Sequence, residues 1–415
     1  MAQFLKRFRY HIAVFLAVAG PGFIAAVADN DSGGIITYSQ AGARWGYLPL
    51  WTLLPITLVL IVTQEMGSRM GAVTEKGLAA LIREEYGLRV TFVMMTLLVL
   101  ANLTNIMAEF AGIAASLELF HISRYVSVPI SALAVWFLAV KANYRSVAKI
   151  FLFAGVVYVS YVISGFLVKP DWKEAALYTV KPVLMLDESY IYMLIGMVGA
   201  TIAPWMQFYL QAAVVEKGVT AKEYAESRIE VIVACLMTSV MAFFIVVACA
   251  GAIWSVHPRD LHDAKTAALG LKPFGDYAEL LFAAGLFNAS IFAASILPLS
   301  TANAVCEGMG FEAGVNKTFR EAPVFYWLYT LLIGIGAGVI LFPGFPLFNL
   351  ILWSQVSNGV LLPLVLIFMI LLINNPRLMN EWTNSRTANA IAWFTVVVMI
   401  GLTLALAGTS IKGIG

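Results

Sequence analysis

Long apolar runs separated by short polar connections make up almost the whole chain. A bilayer-spanning helix needs roughly 20 apolar residues, and the runs predict about eleven crossings. The first starts at Ile12, is interrupted after Ala28 and resumes from Ile35 to about Gly42. A turn at Trp45 to Tyr47 precedes a second crossing over Leu48 to Met66, and the polar stretch carrying Arg69, Lys76, Arg83 and Arg89 is expected to be a loop. Crossings at Thr91 to Phe120 and Ser127 to Val140 follow, and a fifth ends near Val168. Beyond a polar connection from Lys169 to Tyr190, the sixth comes in two pieces, Ile191 to Ala203 and Trp205 to Val215, split at Pro204. The seventh spans Val231 to Trp254, and a connection from His257 to Tyr277 leads to the eighth, which ends near Asn303. The last three run from Phe325 to Phe342, Leu347 to Asn374 and Ala388 to Ala407.

Interruptions at the first and sixth positions predict two five-helix repeats of inverted topology, residues 1–168 and 169–375, with an eleventh helix in 376–415. The fold class is thus an all-α polytopic membrane protein with helices 1 and 6 broken. In transporters of this plan the unwound stretches meet near the bilayer midplane and hold the substrate. The alternative is that Gly33, Gly34 and Pro204 only kink packed helices, which membrane helices tolerate.

The first interruption carries the chemistry. Asp29, Asn30 and Asp31 stand directly before Ser32, Gly33 and Gly34. A carboxylate at membrane depth needs a partner or water, and irregular backbone there has to line a cavity or be buried in protein. Asp31 is therefore read as a cation ligand; the competing reading is a helix cap satisfying the free N–H groups of the second half-helix. For Asp29, ligand, water-holding neighbour and structural pairing all stay open, as does the role of Asn30. Gln355 and Asn358, three apart on the tenth crossing, share a helix face, for which glue between helices is the plain reading. Glu65 and Arg69, four apart, are expected to pair.

Composition narrows the class. Of 415 residues 61% are hydrophobic and 12% charged, with mean hydropathy +0.85, too apolar for one soluble core. A net charge of +2 spread over connections gives no basic patch for nucleic acid. Lys6, Arg7 and Arg9 before the first crossing, and the bias of Lys and Arg to alternate connections, predict a cytoplasmic N terminus and, for an odd number of crossings, an extracellular C terminus. No cleavable signal is read. Cys235, Cys249 and Cys306 lack metal-ligand spacing and read as core residues.

The segments GPGFIAAVADNDSGGIITYSQAGARWGY, GATIAPWMQFYLQAAV and LWSQVSNGVLLP resemble the NRAMP family of divalent-metal transporters, and the likeness extends along nearly the whole chain. That family has an Asp-Pro-Gly-Asn element in the first segment and an Ala-x-x-Met-Pro-His element in the sixth, in the inverted-repeat fold of the leucine-transporter type. Here they read Asp31-Ser32-Gly33-Gly34 and Ala200-Thr201-Ile202-Ala203-Pro204-Trp205. The ligand Asp is kept, while Gly34 stands for its Asn partner and Ala203 for the Met. A thioether favours transition metals over hard ions, so selection against magnesium should fade without it. The loss of two side chains leaves room for magnesium with part of its water shell. This pattern resembles the NRAMP-related magnesium transporters of prokaryotes, which also carry manganese. The resemblance implies backbone carbonyls of Ala28 and Ala200 near the ion, and an approach of Gln355 during occlusion.

It also implies an altered proton route. Proton-coupled members have a His where Trp205 stands and an acid where Ile106 stands, although Glu109 remains and is read as structural or as part of the pathway. An intramembrane relay needs chained titratable groups. Transport without obligatory proton coupling is expected, driven by an inside-negative potential. A divalent cation gains roughly 4.6 kcal/mol per 100 mV, on the order of a thousandfold accumulation. The expected cargo is Mg2+, or Mn2+, in a prokaryotic plasma membrane, with no bound cofactor and no obligate protein partner. Rival readings are a proton-coupled Mn2+/Fe2+ symporter, an amino-acid or sodium symporter, and a Mg2+-dependent membrane-embedded enzyme. The symporter needs an acid-free half-helix N-terminus for its anionic substrate, and the enzyme needs Lys or Arg near the breaks to clamp phosphate.

Overall fold

The computed structural model describes residues 30–141, 155–314 and 317–412, and within them every regular element is helical. The stretch from Ile12 to Ala28, including Ala28, and Asp29 lie outside the described residues, as does the start of the fifth crossing. Eight helices among the described residues are long and apolar enough to cross a bilayer, and a ninth, shorter apolar helix covers Arg124–Leu138.

The second half of the first crossing is α1, Ser32–Trp45, longer at both ends than the expected Ile35 to Gly42. It begins where Asp31 turns extended and its carboxylate accepts the Gly34 N–H at 2.7 Å, and it ends at Gly46, whose φ of 62° closes the last turn. A 3-10 turn at Leu48–Thr52 leads into α2, Leu53–Thr74. The basic stretch after the second crossing is not the loop expected. Arg69 sits inside α2, and Arg83 and Arg89 lie in α3, Leu78–Glu118, which bends at Gly87 with φ 80°. Loss of hydropathy marks where a helix leaves the apolar layer, not where its backbone hydrogen bonds stop. Glu65 and Arg69 do pair, at 3.3 Å; Glu65 also takes the Tyr224 hydroxyl, and Arg69 reaches Asn384.

After α4, Arg124–Lys141, and α5, Val159–Leu167, the polar connection folds a short surface helix α6, Trp172–Val180, capped by Asp171. The sixth crossing is broken as expected, into α7, Glu188–Thr201, and α8, Pro204–Glu216. Pro204 has no N–H to give the Ala200 carbonyl, and its ring drives Ala203 to φ −69°, ψ 138°. The halves then separate: α7 packs on α1 and on α13, Leu347–Ile373, while α8 packs on α2, α3 and α11, Ala278–Met309.

The seventh crossing is α9, Tyr224–Cys249, followed by a π-type turn at Ala250–Trp254. Its connection to α11 carries a helical turn α10, Ala264–Ala268, and a 3-10 run Leu269–Tyr277. The ninth crossing is α12, Pro323–Ile340; after α13 a turn α14, Pro376–Met379, precedes the last helix α15, Arg386–Lys412. The core is built mainly on α3, against which α11 and α13 pack. Between α7 and α13 the contact is made of glycines. A Cβ on Gly199 would lie 1.9 Å from the Gln355 carbonyl, and one on Gly359 would lie 2.6 Å from that of Ile195.

Candidate functional site

Asp31 is the N-cap of α1 and is 6% exposed, so its carboxylate sits buried at the positive end of a half-helix. Glu109 reaches the same helix end from α3. Its Oε2 accepts the Ser32 N–H at 3.3 Å, while the Ser32 hydroxyl donates to the Ala108 carbonyl at 3.1 Å. The Asp31 and Glu109 carboxyls interact electrostatically, and Glu109 Oε1 has no protein partner although the residue is fully buried. The cap reading and the ligand reading of Asp31 are therefore compatible: one oxygen holds the Gly34 N–H, and a carboxylate has lone pairs left over.

Gln355 joins the two breaks. Its amide lies over Gly33, where a Cβ would stand 1.8 Å from Gln355 Nε2 and 3.0 Å from Asp31 Oδ1. Only a residue without a side chain lets the amide and the carboxylate come together there. The Gln355 backbone carbonyl in turn rests on Gly199, the neighbour of Ala200 at the end of α7. Asp31, Gly34, Gln355 and the end of α7 are thus brought to one place. Ala200 and Ala203 are both 3% exposed, and no sulfur enters at position 203. The C-terminal end of α7 leaves carbonyls without helical partners, that of Ala200 among them, at the negative pole of its dipole. Both features favour a cation between the two half-helices.

Around this centre lie groups that sequence reasoning passed over. The Tyr38 hydroxyl and Thr201 Oγ1 are 2.5 Å apart, and Thr201 also donates to the Met197 carbonyl, so α1 is tied to the end of α7. Asn358 pairs with Asn105 on α3 in both directions, at 2.8 and 3.1 Å, and donates to Gln355 Oε1 at 3.2 Å. Asn358 therefore orients Gln355 from behind. Asn105 is an amide inside a long apolar run, a signal that was there to find. Asn30 is buried beside the cap.

Trp205 is 1% exposed and stacks at a tilt on Tyr209, with ring centroids 5.9 Å apart. Ile106 is packed against Gly336 of α12, where a Cβ would meet its Cγ2 at 2.6 Å. Both positions are buried in apolar contacts. Among the described residues no group of three or more His, Cys, Asp or Glu side chains gathers as a metal site. The donors on hand are one carboxylate pair, an amide and backbone carbonyls, a hard-oxygen set.

A family model described as "Natural resistance-associated macrophage protein-like" matches residues 22–409. The divalent metal cation transporter MntH of Acidiphilium cryptum is 27% identical over 414 residues, covering 95% of this chain and 89% of that protein. A mutant of the Eremococcus coleocola manganese transporter superposes with a TM-score of 0.75 at 21% identity, over 96% of this chain and 88% of its own. MhsT in complex with L-phenylalanine gives a TM-score of 0.63 at 13% identity, over 93% and 98% of the two chains. These two likenesses fix the helical fold.

Proposed function

Because this chain belongs to the natural resistance-associated macrophage protein-like family, we propose that it carries divalent metal cations across a membrane by alternating access, with partly hydrated Mg2+ as preferred cargo and Mn2+ as a second substrate. Two five-helix repeats, residues 1–168 and 169–375, with 376–415 appended, complete this reading. The observation that carries it is the buried Asp31 carboxylate with the Gln355 amide drawn over Gly33 beside it, next to a sulfur-free break at Ala203. Oxygen donors and small side chains suit a hard ion that keeps several waters. In this reading Asp31 supplies charge, Ala200 and Ala28 supply carbonyls and Gln355 closes over the ion, while Asp29 serves as a ligand, a water-holding neighbour or a structural partner.

Uptake of Mg2+ into proteoliposomes at fixed pH and imposed potential tests this. Wild-type protein should take up Mg2+ without acidifying the lumen, cadmium should compete poorly, and Asp31→Ala should lose flux. Unchanged flux in Asp31→Ala would sink the assignment.

One observation favours a second reading, proton-coupled Mn2+ transport. Two buried carboxyls stand at one helix end, Asp31 as its cap and Glu109 accepting the Ser32 N–H at 3.3 Å. A cation arriving at Asp31 could then displace a proton. Lumenal acidification that disappears in Glu109→Gln would establish this second reading in place of the first.

A further inference from the structure

A cavity of about 850 Å³ opens on the outside of the bundle between α2, α7 and α15. Its walls are Leu58 and Pro55 of α2, Leu194 and Val198 of α7, and Phe394 and Val398 of α15. The polar side chains that reach it are already satisfied: Trp51 Nε1 donates to the Val183 carbonyl at 3.1 Å, Thr52 to Pro49 at 2.7 Å and Thr395 to Ile391 at 2.9 Å. No side-chain donor is left for a polar ligand, so the occupant must be hydrocarbon. Its lining also includes Ile202, fully buried, the C-cap of α7 at the break.

We propose that this groove binds one acyl tail of a bilayer phospholipid, laid against Phe394 with its end at Ile202 and its headgroup near Trp51. Two features choose this occupant. The groove is continuous with the side of α15 that faces outward, where only 22% of the membrane-crossing window is buried and Phe394 is 68% exposed. Hydrocarbon at that depth comes from the surrounding lipid. At the rim stand Trp51 and, next to the lining residue Pro182, the exposed Lys181, the indole-and-cation pairing of a membrane–water boundary that suits a phosphate headgroup.

Gly401 lines the groove, and a Cβ there meets nothing within 4 Å, so Gly401→Trp starts into open space and obstructs the groove. Gly334 of α12 is equally open and lies outside the groove, which makes Gly334→Trp the matched control. Full-length protein is reconstituted with a phospholipid bearing a diazirine on its acyl chain, irradiated and mapped by peptide. Labelling should concentrate on the peptides holding Phe394 and Leu184, fall at least fivefold in Gly401→Trp and stay level in Gly334→Trp. Excess free fatty acid should leave it unchanged. Uniform labelling of all outward-facing helices, or no loss in Gly401→Trp, would reduce the groove to ordinary lipid contact and overturn the proposal. Displacement by free fatty acid, or a cross-linked dimer in place of lipid label, would overturn it in favour of that other occupant.

Discussion

Asp31 does two jobs that substitution can separate. As N-cap it satisfies the Gly34 N–H, and as an anion it offers charge to a cargo ion. Asn caps a helix about as well as Asp, so Asp31→Asn should keep its melting temperature within a few degrees yet lose at least about tenfold in apparent Mg2+ affinity, roughly 1.4 kcal/mol. Asp31→Ala should lose the affinity and in addition about 1 kcal/mol of stability, measured by thermal unfolding in detergent. Gly33 makes a sharper test of the Gln355 contact. The Cβ of Gly33→Ala collides with the Gln355 amide, which lies 1.8 Å from where that atom would stand. The amide has to swing away, so flux should fall severalfold, and Gln355→Ala should add little further loss in that background, as expected for two changes acting on one contact.

At the scale of the element, the sixth crossing is shaped by a single ring. Pro204 denies Ala200 its helical hydrogen bond and sets Ala203 extended. Pro204→Ala should let α7 and α8 run together and withdraw the Ala200 carbonyl into the helix. Uptake should then drop by more than tenfold while thermal stability holds or rises, a combination that a merely structural proline would not give. This break was legible from the sequence because its cause is local: proline chemistry acts on residues within one turn. The start of α1 was read three residues late, at Ile35, because Gly33 and Gly34 look like helix breakers, whereas the Asp31 cap lets the helix begin at Ser32. What stayed hidden depends on packing between distant residues. Tyr38 meets Thr201 across 163 positions and Asn105 meets Asn358 across 253. No periodicity within one segment reports such a pairing. The outward extension of α2 past Met66 was hidden differently, because Arg69 is kept in the helix by Glu65, Asn384 and the Thr383 carbonyl rather than by hydropathy.

For the whole molecule, the buried acid pair and the burial of Trp205 and Ile106 bear on the driving force. If neither group relays protons, a divalent ion crosses carrying its full charge, and each 100 mV contributes roughly 4.6 kcal/mol. Mg2+ uptake should therefore rise steeply with an inside-negative potassium diffusion potential and be insensitive to a pH gradient set at the same voltage. Flux that follows the pH gradient at zero voltage would point to exchange at Asp31 and Glu109. The overall helical plan was legible because lipid demands long apolar runs. The closeness of Glu109 to the start of α1 was not, because it depends on how α3 crosses α1.

The glycine seam of Gly199 and Gly359 has a mechanical consequence. The missing side chains let the two backbones close up, while Ile195 seats on Gly359 and Val356 on Gly196, so both the spacing and the register of α7 against α13 are set there. Such a joint works as a keyed hinge pin next to the break in the sixth crossing, so a bulkier residue at Gly199 or Gly359 would wedge the two helices apart.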